Sequence, residues 1–306
     1  MRNAYVRALY DIASKDNRIF ILTADIGIFA FNRIKEDFPD RFYNLGVAEA
    51  NMMSIAAGLA LSGKIPFTFG IAPFVTMRCL EQIRIDICYQ VLPVKIVSVG
   101  GGFVYGAQGT THHAIEDLGI LRTLPEIVII CPADPIETEK ATYATMDLER
   151  PTYIRIGRNN EPSIYKKDYD FKIGKAVIMR EGEDITLISC GLVVRNVLEA
   201  SEELAKDNIN ARVVNMHTIK PIDHEMILRC AEETGAIVTV EEHNIIGGLG
   251  SAVAEVLAEE IGFGIPFRRI GIEDTFCRFH ADYPVLQERY GVSKKNISKV
   301  AKELLS

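Results

Sequence analysis

The stretch Phe42–Met53, FYNLGVAEANMM, decides how the rest of this 306-residue chain is interpreted. A strand-like run over Phe42–Leu45 ends at Gly46, and a helix rich in small residues is predicted to begin at about Ala48. Glu49 would then lie in the first turn of that helix, where free backbone N–H groups and the helix dipole favour a carboxylate. A purely helix-stabilising role and a chemical role for Glu49 are both open at this point.

Strands alternate with helices on either side of this stretch, which predicts parallel, doubly wound sheets. Before a polar, charged stretch at 159–184, strands are predicted at Arg18–Thr23, Ile65–Phe69, Leu92–Val99, Glu126–Cys131 and Thr152–Ile156, and helices at Asn3–Ala13, from Pro73 onward and at Pro135–Asp147. After it, strands are predicted at Ile185–Cys190, Ala211–Met216, Ala236–Glu241 and Phe267–Ile270, and helices at Val193–Asp207, Asp223–Thr234, Leu249–Ile261 and Ser293–Leu305. We therefore predict an α/β protein with two doubly wound domains, at residues 1–165 and 185–306. Residues 166–184 form the predicted linker, with a short β segment at Ala176–Met179.

Composition excludes several classes of protein. The formal net charge is −7 and no block of Lys or Arg stands out, so a nucleic-acid partner is not expected. The N-terminus lacks the apolar core of a secretory signal. Charged residues interrupt the apolar runs, so no membrane span is expected. The six cysteines show no C-x-x-C spacing and are predicted to be buried thiols, which favours a cytoplasmic location.

Polar residues follow the predicted strands of the first domain. Asp25 follows the first strand, and Arg158 follows the strand Thr152–Ile156. In open α/β sheets, ligands bind at the carboxyl ends of the strands. Asp25 is either a turn residue or a ligand-binding residue. Arg158 is either a solvated loop charge or a ligand for a phosphate or carboxylate.

The glycine-rich run GGGFVYGAQGTTHHAIED, residues 100–117, follows the strand that ends at Val99. It lacks the G-x-G-x-x-G and G-K-[S/T] patterns of phosphate loops. His112 and His113 are adjacent and so point in different directions, which makes them a poor chelating pair, and no metal site is predicted. A backbone-bonded loop histidine is one interpretation. Two histidines beside five glycines at a strand end favour a polar substrate.

Several motifs occur in an order that resembles a known family. They are FYNLGVAEANM, the segment up to Phe74, the glycine-rich run through GILRTLP, CPAD, YIRIGR and VEEHNIIGGLGSAVAE. The whole chain resembles the carboxyl-terminal half of transketolase and of 1-deoxy-D-xylulose-5-phosphate synthase. In length and starting point it is most similar to the C-terminal subunit of a split, two-subunit transketolase. The resemblance implies a pyrimidine-binding domain followed by a transketolase C-terminal domain.

The resemblance implies thiamine diphosphate as the cofactor. Glu49 matches the glutamate that hydrogen-bonds N1′ of the aminopyrimidine and is the expected catalytic acid. Phe74 matches the aromatic residue that packs on the pyrimidine, with Ile71 and Met77 as its expected neighbours. Asp25 is placed with the cofactor-binding residues.

The substrate side departs from the family pattern. His112 matches a histidine that contacts substrate oxygens and is the second expected catalytic residue, and Arg158 matches the arginine at the phosphate end. Gln108 stands where the family has an acidic residue, Gly100 where it has a histidine, and Phe29 where it has a phosphate-binding serine. These three replacements predict a substrate other than the usual sugar phosphate.

One motif of the family is absent. Enzymes of this kind hold Mg²⁺ and the diphosphate with a G-D-G motif and a distant Asn, and no Gly-Asp-Gly occurs in the 306 residues. The resemblance therefore implies an N-terminal partner subunit that holds Mg²⁺, in an α2β2 heterotetramer. The implied reaction moves a two-carbon ketol unit from a ketose to an aldose.

The same motifs allow three other interpretations. One is the beta subunit of a 2-oxo-acid dehydrogenase decarboxylase component, which shares the two-domain layout. The run ending at His112 favours the transketolase side. A second is an enzyme like 1-deoxyxylulose-5-phosphate synthase. The third is a regulatory subunit without catalysis, against which Glu49 and Phe74 together argue.

Overall fold

The strands of the protein form two sheets in the computed structural model, which describes residues 1–166, 168–262 and 264–306. In chain order they are β1 (Ile19–Thr23), β2 (Phe42–Asn44), β3 (Ile65–Ile71), β4 (Lys95–Val99), β5 (Val128–Ile130), β6 (Thr152–Ile156), β7 (Val177–Arg180), β8 (Ile185–Ser189), β9 (Ala211–Asn215), β10 (Thr218–Lys220), β11 (Ile237–Asn244) and β12 (Phe267–Ile272). The two predicted α/β domains are confirmed.

The first sheet has the order β10-β5-β6-β4-β3-β1-β2 among the described strands. Its strands β1 to β6 pair in parallel, as the alternation with helices predicted. The edge strand β10 was not predicted. It comes from the second half of the chain and pairs with β5 in the antiparallel direction, joining Thr218 to Ile130. A three-residue strand has too short a pattern to be recognised in sequence.

The second sheet has the order β12-β11-β8-β9-β7, again among the described strands. Strands β8, β9, β11 and β12 are parallel, whereas β7 pairs antiparallel with β9. Strand β7 lies within residues 166–184, the predicted linker, so part of that segment is an edge of the second sheet. The domain boundaries themselves stay a prediction.

Helices connect the strands and cover both sheets. The α-helices are Arg2–Lys15, Asn32–Asp37, Glu49–Leu61, Ala72–Val75, Leu80–Gln82, Asp117–Arg122, Pro135–Ala144, Val194–Lys206, His224–Glu233, Leu249–Glu260, Tyr283–Arg289 and Lys294–Leu305. Except for the helix predicted from Pro73, the predicted helices agree with these to within a few residues. The helices Asn32–Asp37, Asp117–Arg122 and Tyr283–Arg289 are short, and the first and last were not predicted.

The continuous helix predicted from Pro73 was wrong. The chain leaves the helix at Thr76, whose backbone has φ −119° and ψ −78°, and whose hydroxyl donates to the Ala72 carbonyl at 2.6 Å. Such a side-chain bond competes with the helical backbone bonds. The chain resumes as the 3₁₀ turn Met77–Cys79 and ends as a π-helix over Ile83–Cys88. The break lies between Phe74 and Met77, next to the predicted cofactor residues.

The helix Glu49–Leu61 packs on β3 through its small and sulfur-containing side chains. Its buried apolar residues are Met52, Met53, Ala56, Ala57 and Ala60. The alanines let the helix approach the sheet closely, which fixes Glu49 near the carboxyl ends of the strands. The six cysteines are all buried, as predicted. Among the described residues, no helix combines the length and the apolar character needed to cross a bilayer.

Candidate active site

The Glu49 carboxylate is buried at the start of its helix. Glu49 is 2% exposed and is the first residue of the helix Glu49–Leu61. Arg78 donates to Glu49 Oε2 at 2.5 Å, from the far side of the helix break at Thr76. Burial of a carboxylate requires such a partner, because its charge otherwise loses hydration without compensation.

Arg78 connects Glu49 to an aromatic cluster. The Arg78 guanidinium lies 4.4 Å from the centre of the Phe74 ring. The Phe74 ring contacts the His112 ring edge-to-face, with centroids 5.2 Å apart. Phe74 is half-buried, so part of its ring stays accessible to a ligand. The structure therefore joins Glu49, Phe74 and His112, three residues that are far apart in the sequence.

Tyr105 extends this row of side chains to Arg158. The His112 Nδ1 atom is 2.9 Å from the Thr111 hydroxyl, and the His112 and Tyr105 ring centroids are 6.0 Å apart. Arg158 is exposed, and its guanidinium carbon lies 5.1 Å from the Tyr105 ring centre. One continuous row thus connects a buried carboxylate to an exposed cation.

Two more predicted cofactor residues lie beside this row. Ile71 is the buried last residue of β3 and precedes the short helix that holds Phe74. Met77 lines a cavity of about 230 Å³ together with Pro73, Thr110, Thr111, His113, Ile115, Glu116, Phe276 and Cys277. The last two belong to a segment of the second domain. The Thr110 hydroxyl donates to the Cys277 carbonyl, so both domains shape this cavity.

The remaining predicted residues are at the surface. Asp25 is exposed, has φ +56°, and exchanges hydrogen bonds with the Asn44 side chain. Phe29 is 90% exposed, and Gln108 is exposed in the glycine-rich run. In this structure Asp25 therefore has the contacts of a turn residue, while its place among the cofactor-binding residues stays a prediction.

The Tyr105 ring occupies the space beside Gly100 that a side chain would need. Gly100 has φ +86°, which favours glycine, and a Cβ atom there would overlap the Tyr105 ring. The space that a side chain at position 100 would need, where the resemblance predicts a histidine in the family, is therefore occupied by the Tyr105 ring. The Gly100 replacement and Tyr105 form one structural feature.

The second domain holds the glycine-rich run in place. Glu242 accepts hydrogen bonds from the Phe103 backbone N–H at 3.1 Å and from the Tyr283 hydroxyl at 2.6 Å. Arg155 donates to the carbonyls of Ala114 at 2.6 Å and Glu242 at 3.0 Å. These bonds join β6, the glycine-rich run and β11, and so fix the backbone on both sides of His112.

Glu241, Glu242 and His113 are buried titratable side chains in this part of the structure. Burial raises the pKa of both Glu241 and Glu242 to about 7, although hydrogen bonds to each carboxylate oppose the shift. His113 is also buried, which lowers its pKa, and its Nε2 faces the Gly106 carbonyl at 3.4 Å. Of the two adjacent histidines, His113 thus has structural contacts, whereas His112 faces the aromatic row.

Sequence reasoning missed Arg78 and Tyr105. Arg78 is four residues after Phe74, a helical spacing that would have placed it beside that ring. Tyr105 lies within the quoted glycine-rich run, but its contact with position 100 follows from the loop conformation alone.

Both parts of the chain match known domain families. Residues 1–163 match the transketolase pyrimidine-binding domain, and residues 174–297 match the transketolase C-terminal domain. This chain belongs to the transketolase family. The resemblance seen in the sequence is therefore confirmed, and membership identifies a subunit of a transferase-type enzyme.

Two relatives match over nearly their whole length. The chain is 40% identical to the 6-deoxy-6-sulfo-D-fructose transketolase subunit SqwH of Clostridium sp. strain MSTE9, over 99% of this chain and 94% of that protein. It is 39% identical to an apulose-4-phosphate transketolase subunit of Phocaeicola vulgatus, over 99% of this chain and 97% of that protein. A 1-deoxy-D-xylulose-5-phosphate synthase of Heliobacterium modesticaldum is 36% identical, but this chain spans 46% of it.

A solved structure has the same fold. It is described as a split gene transketolase, an inactive beta4 tetramer, and matches with a TM-score of 0.91 and 39% identity, over 99% of this chain and 97% of that chain. Transketolase from Campylobacter jejuni matches with a TM-score of 0.83 at 20% identity, which shows the shared fold alone.

The pyrimidine-binding domain implies thiamine diphosphate as the cofactor. The observed residues fit the aminopyrimidine end of that molecule. A buried carboxylate suits a ring nitrogen that shares a proton, and the half-buried face of Phe74 suits stacking on a flat heterocycle. Within the part of the chain that the structure describes, no cluster of three or more His, Cys, Asp or Glu side chains could hold a metal ion.

Proposed function

We propose that this chain is the C-terminal subunit of a split, thiamine-diphosphate-dependent transketolase that moves a two-carbon ketol unit from a ketose to an aldose. The observation behind the proposal is the buried Glu49 carboxylate at a helix start, joined through Arg78 and Phe74 to His112. This arrangement offers an acid, a stacking face and a polar substrate contact within one row.

Each side chain has a distinct task in this proposal. When bound, the cofactor supplies the nucleophilic carbon that accepts and returns the two-carbon unit. Glu49 holds a proton at N1′ of the pyrimidine, and its burial strengthens that hydrogen bond. Phe74 stacks on the pyrimidine, with Ile71 and Met77 beside it and Asp25 as a further cofactor contact. His112 orients the substrate oxygens through its accessible ring edge.

Binding of Glu49 to N1′ requires a change of partner. In the structure, Arg78 holds Glu49 at 2.5 Å while lying over the Phe74 ring. A pyrimidine stacked on Phe74 competes for both contacts. Because Arg78 is on the exposed side of the helix break, it can turn toward solvent without burying its charge.

The other half of the site comes from a partner chain in this proposal. No Gly-Asp-Gly occurs in the sequence, so the partner binds Mg²⁺ and the diphosphate. The description of the solved split transketolase as an inactive beta4 tetramer agrees with a subunit that needs its partner. We expect an α2β2 heterotetramer in the cytoplasm, with the domain boundaries given above.

The proposed donor is a ketose with an anionic tail. Arg158 is an exposed guanidinium at the outer end of the row, which suits a phosphate or a sulfonate. The names of the two relatives point to a sulfonated ketose and a phosphorylated ketose. The replacements at Phe29, Gly100 and Gln108 separate this site from that of an ordinary transketolase.

The proposal is tested by reconstitution. The chain is mixed with its partner subunit, thiamine diphosphate and Mg²⁺, and ketol transfer is measured with phosphorylated and sulfonated ketoses and an aldose phosphate acceptor. We expect turnover in the mixture and none with either subunit alone. Decarboxylation of a 2-oxo acid with transfer to a lipoyl acceptor, in place of ketol transfer, would instead identify a 2-oxo-acid dehydrogenase component.

A further inference from the structure

Tyr105 lies where the substrate side of the site meets the core. It is 9% exposed and packs with the apolar residues of the first sheet, so its ring position is fixed. The same ring contacts His112 edge-to-face and lies beneath the Arg158 guanidinium. A single rigid ring therefore touches both residues matched to substrate binding.

The backbone at Gly100 makes this ring position available. A Cβ atom at Gly100 would overlap the Tyr105 ring, and the φ of +86° keeps this position suited to glycine. An imidazole at position 100 and this placement of Tyr105 are mutually exclusive. An aromatic face therefore lies where the resemblance predicts a polar, titratable group.

The ring supports a cationic end of the site. Arg158 lies 5.1 Å from the ring centre, within the range of a cation–π interaction. With the Asn159 amide oxygen turned toward the N-terminal helix, Asn159 accepts from Arg2 at 2.7 Å, so the Arg2 guanidinium contacts the residue that follows Arg158. Burial raises the pKa of Tyr105, so the phenol is neutral at physiological pH.

We propose that Tyr105 is a specificity-determining residue of the substrate site. Its ring fixes the positions of the Arg158 and His112 side chains relative to each other and so favours ketoses with an anionic tail. This inference rests on the function proposed above. The aromatic face is the acting part, because both observed contacts are made by the ring. Tyr105 is a positioning residue, since it acts through Arg158 and His112.

The test compares three replacements in the reconstituted complex. Tyr105→Phe keeps the aromatic face, Tyr105→Leu keeps apolar volume without that face, and Tyr105→Ala removes both. The exposed Tyr89→Ala is the matched control. Steady-state kinetics are measured with D-xylulose 5-phosphate and with uncharged D-xylulose as donors.

We expect Tyr105→Leu and Tyr105→Ala to raise KM about fivefold for the phosphorylated donor, with kcat changed less than about threefold. A cation–π contact of about 1 kcal/mol sets that scale. KM for D-xylulose should rise less, because that donor has no anionic group for Arg158 and is affected through His112 alone. Tyr105→Phe and Tyr89→Ala should behave like wild type. Equal changes in KM for both donors, or wild-type kinetics for Tyr105→Leu, would overturn the inference.

Binding of D-ribose 5-phosphate, measured by calorimetry, separates this inference from the proposed function. Loss of that binding in Tyr105→Leu, with wild-type binding in Tyr105→Phe, supports the role of the ring even if the wild-type complex shows no ketol transfer. Unchanged binding in Tyr105→Leu, or no binding by the wild-type complex, contradicts it. Thermal unfolding of each variant distinguishes a local effect from loss of the fold.

Discussion

Arg78 and Glu49 form a hydrogen-bonded ion pair at 2.5 Å across the helix break at Thr76. The pair joins the two predicted cofactor contacts, because Arg78 also covers the Phe74 ring. In this state the carboxylate that would bind the pyrimidine is already paired. Cofactor binding would therefore exchange one partner of a buried charge for another, which avoids leaving the charge without compensation.

Glu49→Gln should nearly abolish activation of the cofactor while keeping the fold. Glutamine fits the same space but cannot share a proton with N1′, and such proton transfer contributes about 10²- to 10⁴-fold. The measurement is hydrogen–deuterium exchange at C2 of bound thiamine diphosphate in the reconstituted complex. The exposed Glu81→Gln is the control, and exchange at the wild-type rate in Glu49→Gln would falsify this role.

Arg78→Met should destabilise the cofactor-free chain by about 1 kcal/mol, because Glu49 loses its buried ionic partner. The loss is no larger because Arg78 itself is exposed, so that solvent screens the pair. Urea denaturation of the isolated chain gives the free energy of unfolding, with the exposed Arg84→Met as control. The double variant with Glu49→Gln should be less destabilised than the sum of the two changes. Additive effects would show that the ion pair contributes nothing measurable.

The stability of Glu242→Gln relative to wild type should depend on pH. The folded-state pKa of Glu242 is raised to about 7 by burial, so in wild type the protonated carboxyl favours folding at low pH, and that contribution is lost as pH rises from about 4.5 through 7. The variant has no such loss. Its unfolding free energy minus that of wild type should therefore increase between pH 5 and pH 8, by up to about 3 kcal/mol.

Urea denaturation at both pH values measures this difference. The exposed Glu303→Gln should show no comparable change. A difference that stays constant or falls between pH 5 and pH 8 would mean that Glu242 is already ionised in the folded protein at low pH.

Phe29→Ser should improve use of an ordinary transketolase donor. The wild-type complex is expected to have a kcat/KM for D-xylulose 5-phosphate below about 10⁴ M⁻¹s⁻¹, at the low end of the enzymatic range. A serine hydroxyl at position 29 adds one polar contact of about 0.5–1.5 kcal/mol, equivalent to about two- to tenfold. Because Phe29 is 90% exposed, the change should leave stability unaffected.

The matched control is Val47→Ser, another exposed apolar residue of the first domain. It should leave kcat/KM unchanged. A wild-type value well above about 10⁴ M⁻¹s⁻¹ would show that the replacements at Phe29, Gly100 and Gln108 are harmless and that the donor is an ordinary ketose phosphate.

Much of the fold could be predicted because its pattern is local. The alternation of strands and helices, the helix that begins at Glu49 and the strand before Arg158 all depend on neighbours within a few residues. The order of short motifs was enough to identify the family. The helix break at Thr76 was missed because the apolar spacing continues through it, while the hydroxyl bond to Ala72 leaves no mark on that spacing.

The sequence by itself determined two α/β domains and the family, and it grouped Glu49, Phe74 and His112 in one predicted site. Only the tertiary structure decided how they meet. Strand β10 crosses to the first sheet, Glu242 supports the glycine-rich run through Phe103, and Tyr105 takes the space beside Gly100. The first two contacts join residues far apart in the chain, and the third depends on a loop conformation. The periodicity of apolar residues indicates only which face of a helix or strand is buried. Which residues pack against that face is decided only when the elements come together in the tertiary structure.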